Sequence, residues 1–349
     1  MVSPNFKKAV QHLKHEGFSD LFSFQPEYQF IFSHTETTID ILILIDELIL
    51  KQKNVNFLPP LNDLFSIGRY SYRSGSLLDP FLHIYATAVV MAMQDKIEKF
   101  RPLVQSNTVF SYRMIEGSDT HWFDPDIGWG KFNETNINLA KNSHFVGSAD
   151  IASFYTSLRP IHFKCPGFLK LFPGEYKFRL DAVLEYIRLE EDGLPVGGSF
   201  ARILAEIVLA HIDIELQNAG IIFTRFVDDF RIFSKDEIFI GQDIYTLTKI
   251  LNNYGLHINR QKVSVLKSSY FIETLNFKSA SLISNSKQKS TIINPLFDPY
   301  AELVIGRVDE LKSISETQSL HQAAVYEMEK ISADISSLKV IISAAQYCT

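Results

Sequence analysis

Residues 221–234, IIFTRFVDDFRIFS, decide how this chain is read. Two runs rich in Ile, Phe and Val meet at Asp228-Asp229, and an Asp pair suits a turn, so the pattern predicts a hairpin. Working outward, Phe200, Ile203, Leu204, Ile207, Val208, Ile212 and Leu216 form one stripe that predicts a helix over 199–217. Phe145 to Asp150 reads as a strand ending in an acid, 240–253 as a helix and Leu256 to Leu266 as a strand. Strand, helix, hairpin, helix and strand in that order predict an α+β layer, an antiparallel sheet with helices on one face.

The remaining sequence surrounds this layer with helices. Residues 4–50 read as helical, followed by a turn at Pro59-Pro60. Residues 62–78, with Arg69, Arg73 and Gly75 among aromatic residues, suit an irregular or β segment. Leu82, Tyr85, Val89, Met93 and Ile97 predict one helix over 81–100, and TVFSYRMI (108–115) a short strand. Gly117 to Asn142 is rich in Gly, Asp, Asn and Trp without a period and reads as a long loop. From Ala301 the chain reads as helical, with an apolar stripe of Ile331, Ile335, Leu338 and Ile342.

Composition bounds the function. The chain has 349 residues, 46% of them hydrophobic, with 28 Phe, which excludes wholesale disorder and predicts a large core. TIDILILIDELIL (38–50) carries Asp40, Asp46 and Glu47 and is too short to span a bilayer. The N-terminus lacks the apolar run of a signal peptide; Phe6, Ala9, Val10 and Leu13 follow helical spacing instead. Cys165 and Cys348 form no metal or disulfide pattern, so a reduced, cytoplasmic protein without a membrane partner is expected. A net charge of −6 argues against a protein that simply coats nucleic acid, though not against a basic cleft.

The chemistry is carried by three acids on β elements. Asp150 follows the apolar run HFVGSA, and Asp228 and Asp229 sit at the tip of an apolar hairpin. Clustered carboxylates in a low-dielectric site repel one another and lose hydration. A divalent cation supplies the compensation, and hard oxygen ligands suit Mg²⁺, with Mn²⁺ as an alternative. The structural alternative is a solvated turn at Asp228-Asp229 and a helix N-cap at Asp150. His121, His144 and His211 have no zinc spacing and read as structural, and no Walker loop, GxSxG or Cys/His nucleophile pattern is present.

Taken together, DIASFY (150–155), GLPVGGSFARILAEIVL (193–209), FVDDF (226–230) and YGLHINRQK (254–262) resemble motifs A to D of the reverse-transcriptase palm, in that order. Within that superfamily, PVG followed by ARILAEI, with VFSYR (109–113) upstream, is similar to prokaryotic abortive-infection and other defence-associated enzymes. The resemblance implies a right-hand polymerase: a fingers-like region over 1–144, a palm over 145–285 and a helical thumb-like segment over 286–349.

It also implies roles. Asp150, with the Ile151 carbonyl, and Asp228 would bind two Mg²⁺ ions, with Asp229 adjacent. Tyr155, beside Phe154, stands where the family has an aromatic gate against the 2′-hydroxyl. Pro195, Val196 and Gly197 would approach the nucleotide or template, with Val196 where many relatives carry Gln. Lys262 fits a lysine that approaches the β/γ-phosphates and protonates pyrophosphate. Arg69 and Arg73, and less directly Arg113, are fingers candidates for the triphosphate. Arg202 and Glu206, four apart on one helix, read as a local ion pair.

The implied activity is two-metal addition of dNTPs to a DNA strand in antiphage defence, untemplated and protein-primed as in the abortive-infection relatives. Tyr28, Tyr300, Tyr326 and Tyr347 are the acceptor candidates. The partners are dNTPs and single-stranded DNA product; an RNA template and a homo-oligomer stay open. The rivals are a templated RNA-directed DNA polymerase, an RNA-dependent RNA polymerase, which Tyr155 argues against, and a nonenzymatic defence scaffold, against which the retained acids and Lys262 argue.

Overall fold

The computed structural model describes residues 3–18, 26–68, 71–115 and 122–275. Helices α1 (Phe6–Glu16), α2 (Pro26–Ser33) and α3 (Thr35–Leu50) open the chain, and Asn5 caps α1 by accepting from the Lys8 amide. Strands β1 (Leu61–Gly68) and β2 (Ser71–Leu77) pair antiparallel as a two-stranded hairpin. Helix α4 (Pro80–Met91) starts on Asp79, whose carboxylate accepts from the Phe81 and Leu82 amides, with Pro80 where no N–H is required. The single helix predicted over 81–100 is two, because the chain turns at Ala92-Met93 before α5 (Gln94–Phe100).

Residues 108–115 do not form the predicted strand. Val109 makes one parallel bridge to Arg225 and Met114 one bridge to Phe123. Tyr112 has φ +46°, which ends the extended run, and the Ser111 and Tyr112 carbonyls accept from the Arg101 guanidinium rather than from a neighbouring strand. The loop expected over 117–142 contains α6 (Trp129–Lys141), which buries Phe132, Asn136 and Ala140. Those positions are four apart; a polar residue in the middle conceals the stripe, and Asn136 is buried because its carbonyl oxygen accepts from the Thr224 hydroxyl.

Strand β3 (Phe145–Asp150) leads into α7 (Phe154–Ser157), α8 (Pro166–Leu171), α9 (Glu175–Tyr186) and α10 (Leu189–Asp192). Helix α11 (Ser199–Asn218), strands β4 (Phe223–Phe226) and β5 (Asp229–Ser234), and α12 (Glu237–Asn253) follow the predicted pattern. The strand expected from Leu256 contracts to β6 (Ser264–Lys267), and the residues before it contribute one bridge, Ile151 to Ile258. The sheet order is β4-β5-β3-β6, antiparallel throughout, with α12 packed on β3 and β5.

The main hydrophobic core runs from Phe6 to Leu256, and a second, smaller cluster joins Ala140, Val146, Phe233 and Phe271. Helix α11 packs against α4, α5 and α12 and buries polar Ser199, Arg202, Glu206 and Asp213 along with its apolar stripe. The thumb-like segment 286–349, with its predicted helix, lies outside the described residues. Among the described residues no helix is long and apolar enough to cross a membrane.

Candidate active site

The register of β3 against β5 builds the site. It sets Asp150 directly opposite Asp229, and the Val227-Asp228 turn between β4 and β5 adds the third carboxylate. Asp150 is buried, whereas Asp228 and Asp229 are half-buried. Desolvation first, then the charges of Asp150 and Asp229, push the Asp228 carboxyl up to about 7.

The loop from Tyr254 to Lys262 closes this edge. The Asn259 amide donates to the Asp150 carbonyl at 2.7 Å, and the Asn259 side-chain nitrogen donates to Asp150 Oδ2 at 3.2 Å. Lys262 Nζ lies 3.0 Å from the same oxygen. Partial burial pulls the Lys262 ammonium down, but its hydrogen bond to Asp150 and the charges of all three acids hold it above its ordinary value. Arg231 approaches Asp229 at 3.5 Å.

The carboxylates fit a divalent cation as a donor set. They are hard oxygen ligands whose mutual repulsion is already visible at Asp228, and Lys262 and Arg231 together balance only part of the charge of three carboxylates. Among the described residues no group of three or more His, Cys, Asp or Glu is placed so that it could hold a metal ion by itself. An open set suits Mg²⁺, which takes its remaining ligands from water and substrate phosphates.

The loops around the acids are packed backbone to backbone. The Leu194 amide donates to the Tyr155 carbonyl at 3.0 Å. Gly193 has φ +76°, and a Cβ there would come within 2.6 Å of the Thr156 oxygen, so only glycine lets the two loops meet. At Gly198 a Cβ would lie 2.8 Å from His83 Nε2. Pro195, Val196 and Gly197 are all buried.

The predicted site residues divide. Asp150, Ile151, Asp228, Asp229 and Lys262 come together, and half-buried Tyr155 lies in α7, five residues after Asp150. The Phe154 ring is a core residue, packed beside Tyr155, so it serves packing rather than nucleotide contact. Arg113 is also corrected: it is buried against Glu98, Pro102 and Val109, and burial lowers it to about 10. Arg73 pairs its backbone with Phe65 in β2; its side chain and all of Arg69 lie outside the described residues. Tyr28 is buried with its hydroxyl 2.7 Å from His83 Nδ1, so it is not an accessible acceptor; Tyr300, Tyr326 and Tyr347 lie outside the described residues, as does His121.

Sequence reasoning missed the support beneath the site. Glu206, read as a local partner of Arg202, is held by Arg101, Arg225 and Ser111, while the Arg202 guanidinium lies 4.9 Å from the Tyr112 ring centroid. Burial pushes Glu206 up, but Arg225 and Arg101 outweigh it and hold the carboxyl below its usual value. The available signal was Arg225 itself, the one charge ahead of the acids in the apolar run IIFTRFV.

Residues 71–289 match the family model described as reverse transcriptase (RNA-dependent DNA polymerase). Among solved structures, telomerase from Candida albicans, in complex with a TWJ fragment of telomeric RNA, matches with a TM-score of 0.44 and 14% identity. The match covers 62% of this chain and 44% of that one, so the chain spans less than half of that relative. No curated protein matches.

Proposed function

The chain belongs to the reverse transcriptase (RNA-dependent DNA polymerase) family, and from that premise we propose that it adds dNTPs to a DNA strand at Asp150, Asp228 and Asp229. The observation that carries this reading is the pairing of Asp150 with Asp229 across β3 and β5, with Asp228 in the adjoining turn raised to about 7. Such a cluster is held ready for cations that arrive with a triphosphate. Two bound Mg²⁺ ions would supply Lewis-acid activation of the attacking oxygen and stabilise the departing pyrophosphate.

The chain's own groups do the rest. Asp150 and Asp228 would hold the cations, and Asn259 fixes Asp150 through both its amide and its side chain. Lys262 carries a proton beside Asp150 and is available to neutralise or protonate the leaving pyrophosphate. Tyr155, in α7 five residues after Asp150, is the gate against a 2′-hydroxyl. Val196 offers no side-chain hydrogen bond to a nascent base pair, and the net charge of −6 gives no sign of a broad duplex-binding surface; both support synthesis without a template. A place in antiphage defence, and priming from a protein tyrosine, are argued from the PVG, ARILAEI and VFSYR segments.

The experiment is incubation with labelled dNTPs and Mg²⁺, with and without RNA template, resolved on a denaturing protein gel. Free DNA, protein-linked DNA and absence of product separate a nucleic-acid-primed enzyme, a protein-primed enzyme and a scaffold. Label that also appears with Asp228→Ala would remove the carboxylates from the reaction.

A further inference from the structure

Arg225 is fully buried, three residues before Asp228. Its Nε and Nη2 donate to Asp213 at 2.8 and 2.6 Å, and its Nη1 and Nη2 donate to Glu206 at 3.0 Å each. Glu206 is further held by Arg101 Nη2 and Ser111 Oγ, both at 2.7 Å. Two arginines and two acids therefore compensate one another out of water. The same Arg225 Nη1 makes one more bond, to the Val227 carbonyl at 2.8 Å.

That last bond goes to an unusual residue. Val227 has φ +53°, a left-handed conformation that costs a side chain branched at Cβ about 1–2 kcal/mol and persists only where neighbours impose it. The Val227 carbonyl belongs to the planar peptide unit that ends at the Asp228 Cα. Fixing that oxygen fixes the direction in which Asp228 leaves the turn.

We infer that Arg225 is a positioning residue: clamped by Glu206 and Asp213, it holds the Val227-Asp228 peptide in its left-handed turn and so aims the Asp228 carboxylate. The kinetic consequence rests on the proposed nucleotidyl transfer; the conformational one does not. The clamp ties the aim of the acid to α11, through Glu206 and Asp213, and to the 108–111 segment, whose Thr108 carbonyl accepts from the Arg225 amide at 2.7 Å.

The test compares Arg225→Lys with Ser111→Ala. Lysine keeps the charge between Glu206 and Asp213 but lacks the fork that also reaches Val227. Ser111→Ala removes a bond from the same network without touching the turn. Arg225→Lys should lower kcat for dNTP incorporation about 100-fold, as a misaimed catalytic group does, with KM for dNTP within about threefold. Ser111→Ala, which weakens only one of the holds on Glu206, should lower Tm and cost kcat no more than about threefold. A kcat for Arg225→Lys that falls no further than that of Ser111→Ala overturns the inference.

Where Arg225→Lys does not fold, Asp213→Asn serves. Asn keeps the volume but withdraws one of the two oxygens that accept from Arg225, and the loosened guanidinium should lower kcat at least about fivefold; an unchanged kcat overturns the inference. A crystal structure of whichever variant folds separates the two readings. Val227 leaving φ +53° or Asp228 turning away supports positioning even if the parent protein incorporates no nucleotide. An unmoved turn refutes positioning whatever the activity.

Discussion

Replacing Asp228 with Asn should stabilise the metal-free protein while abolishing nucleotide incorporation. The Asp228 carboxyl stands at about 7 against an ordinary value of 3.8, raised by burial and by Asp150 and Asp229. At about 1.4 kcal/mol for each tenfold gain in proton affinity, that rise sets a ceiling of about 4 kcal/mol. Remaining solvent access around this half-buried group brings the expected effect to about 1–2 kcal/mol. The folded state holds its proton more tightly than the unfolded chain, so Asp228 favours folding below pH ~4, and that contribution is lost as pH rises through about 7. The Asn variant carries no such dependence at this position. Urea unfolding in EDTA should therefore show the variant more stable than the parent at pH 8, with the gap closing towards pH 4. Mg²⁺ should raise the parent's midpoint more than the variant's, because the variant has lost a charged ligand. A variant less stable than the parent at pH 8, or a gap that does not vary with pH, would refute the account of a carboxylate held under repulsion.

Three further outcomes follow from the same geometry. Tyr155→Ala should raise incorporation of rNTPs relative to dNTPs by about tenfold in single-turnover assays, the scale of one apolar contact made or lost; unchanged selectivity would remove the ring from the sugar site. Gly193→Ala should lower stability by about 1–3 kcal/mol in urea unfolding, because φ +76° and the 2.6 Å approach to Thr156 leave no room for a methyl; a neutral result would mean the two loops can separate freely. Homopolymer RNAs supplied in turn with all four dNTPs should leave product composition unchanged, and products complementary to each RNA would show that Val196 does not prevent templating.

Much of the palm was legible because its signals are local. The α11 stripe, the hairpin at Asp228-Asp229 and the strand ending in Asp150 each depend on neighbours two to four residues apart. The order of four short motifs then identified the acids as a set before any distance was known. The rest depends on which distant segments meet. Which residue faces Asp150 is decided by the β3–β5 register, and a slip of one residue would turn every side chain of β5 to the other face. Glu206 has a spacing-compatible partner at Arg202, yet its charge is compensated by Arg101 and Arg225, brought in by α5 and β4, because a buried acid is held by whichever cations the packing delivers. Asn136 interrupts an apolar stripe and so conceals α6; packing holds it inside with its side-chain oxygen accepting from Thr224 while its side-chain nitrogen finds no partner among the described residues, a cost no local rule predicts. Asp150, Asp228 and Asp229 were readable as chemistry from the chain alone. Their facing geometry, the Asn259 bonds that hold Asp150 and the arginine beneath the turn were set by tertiary structure, since only long-range packing decides who neutralises a buried charge.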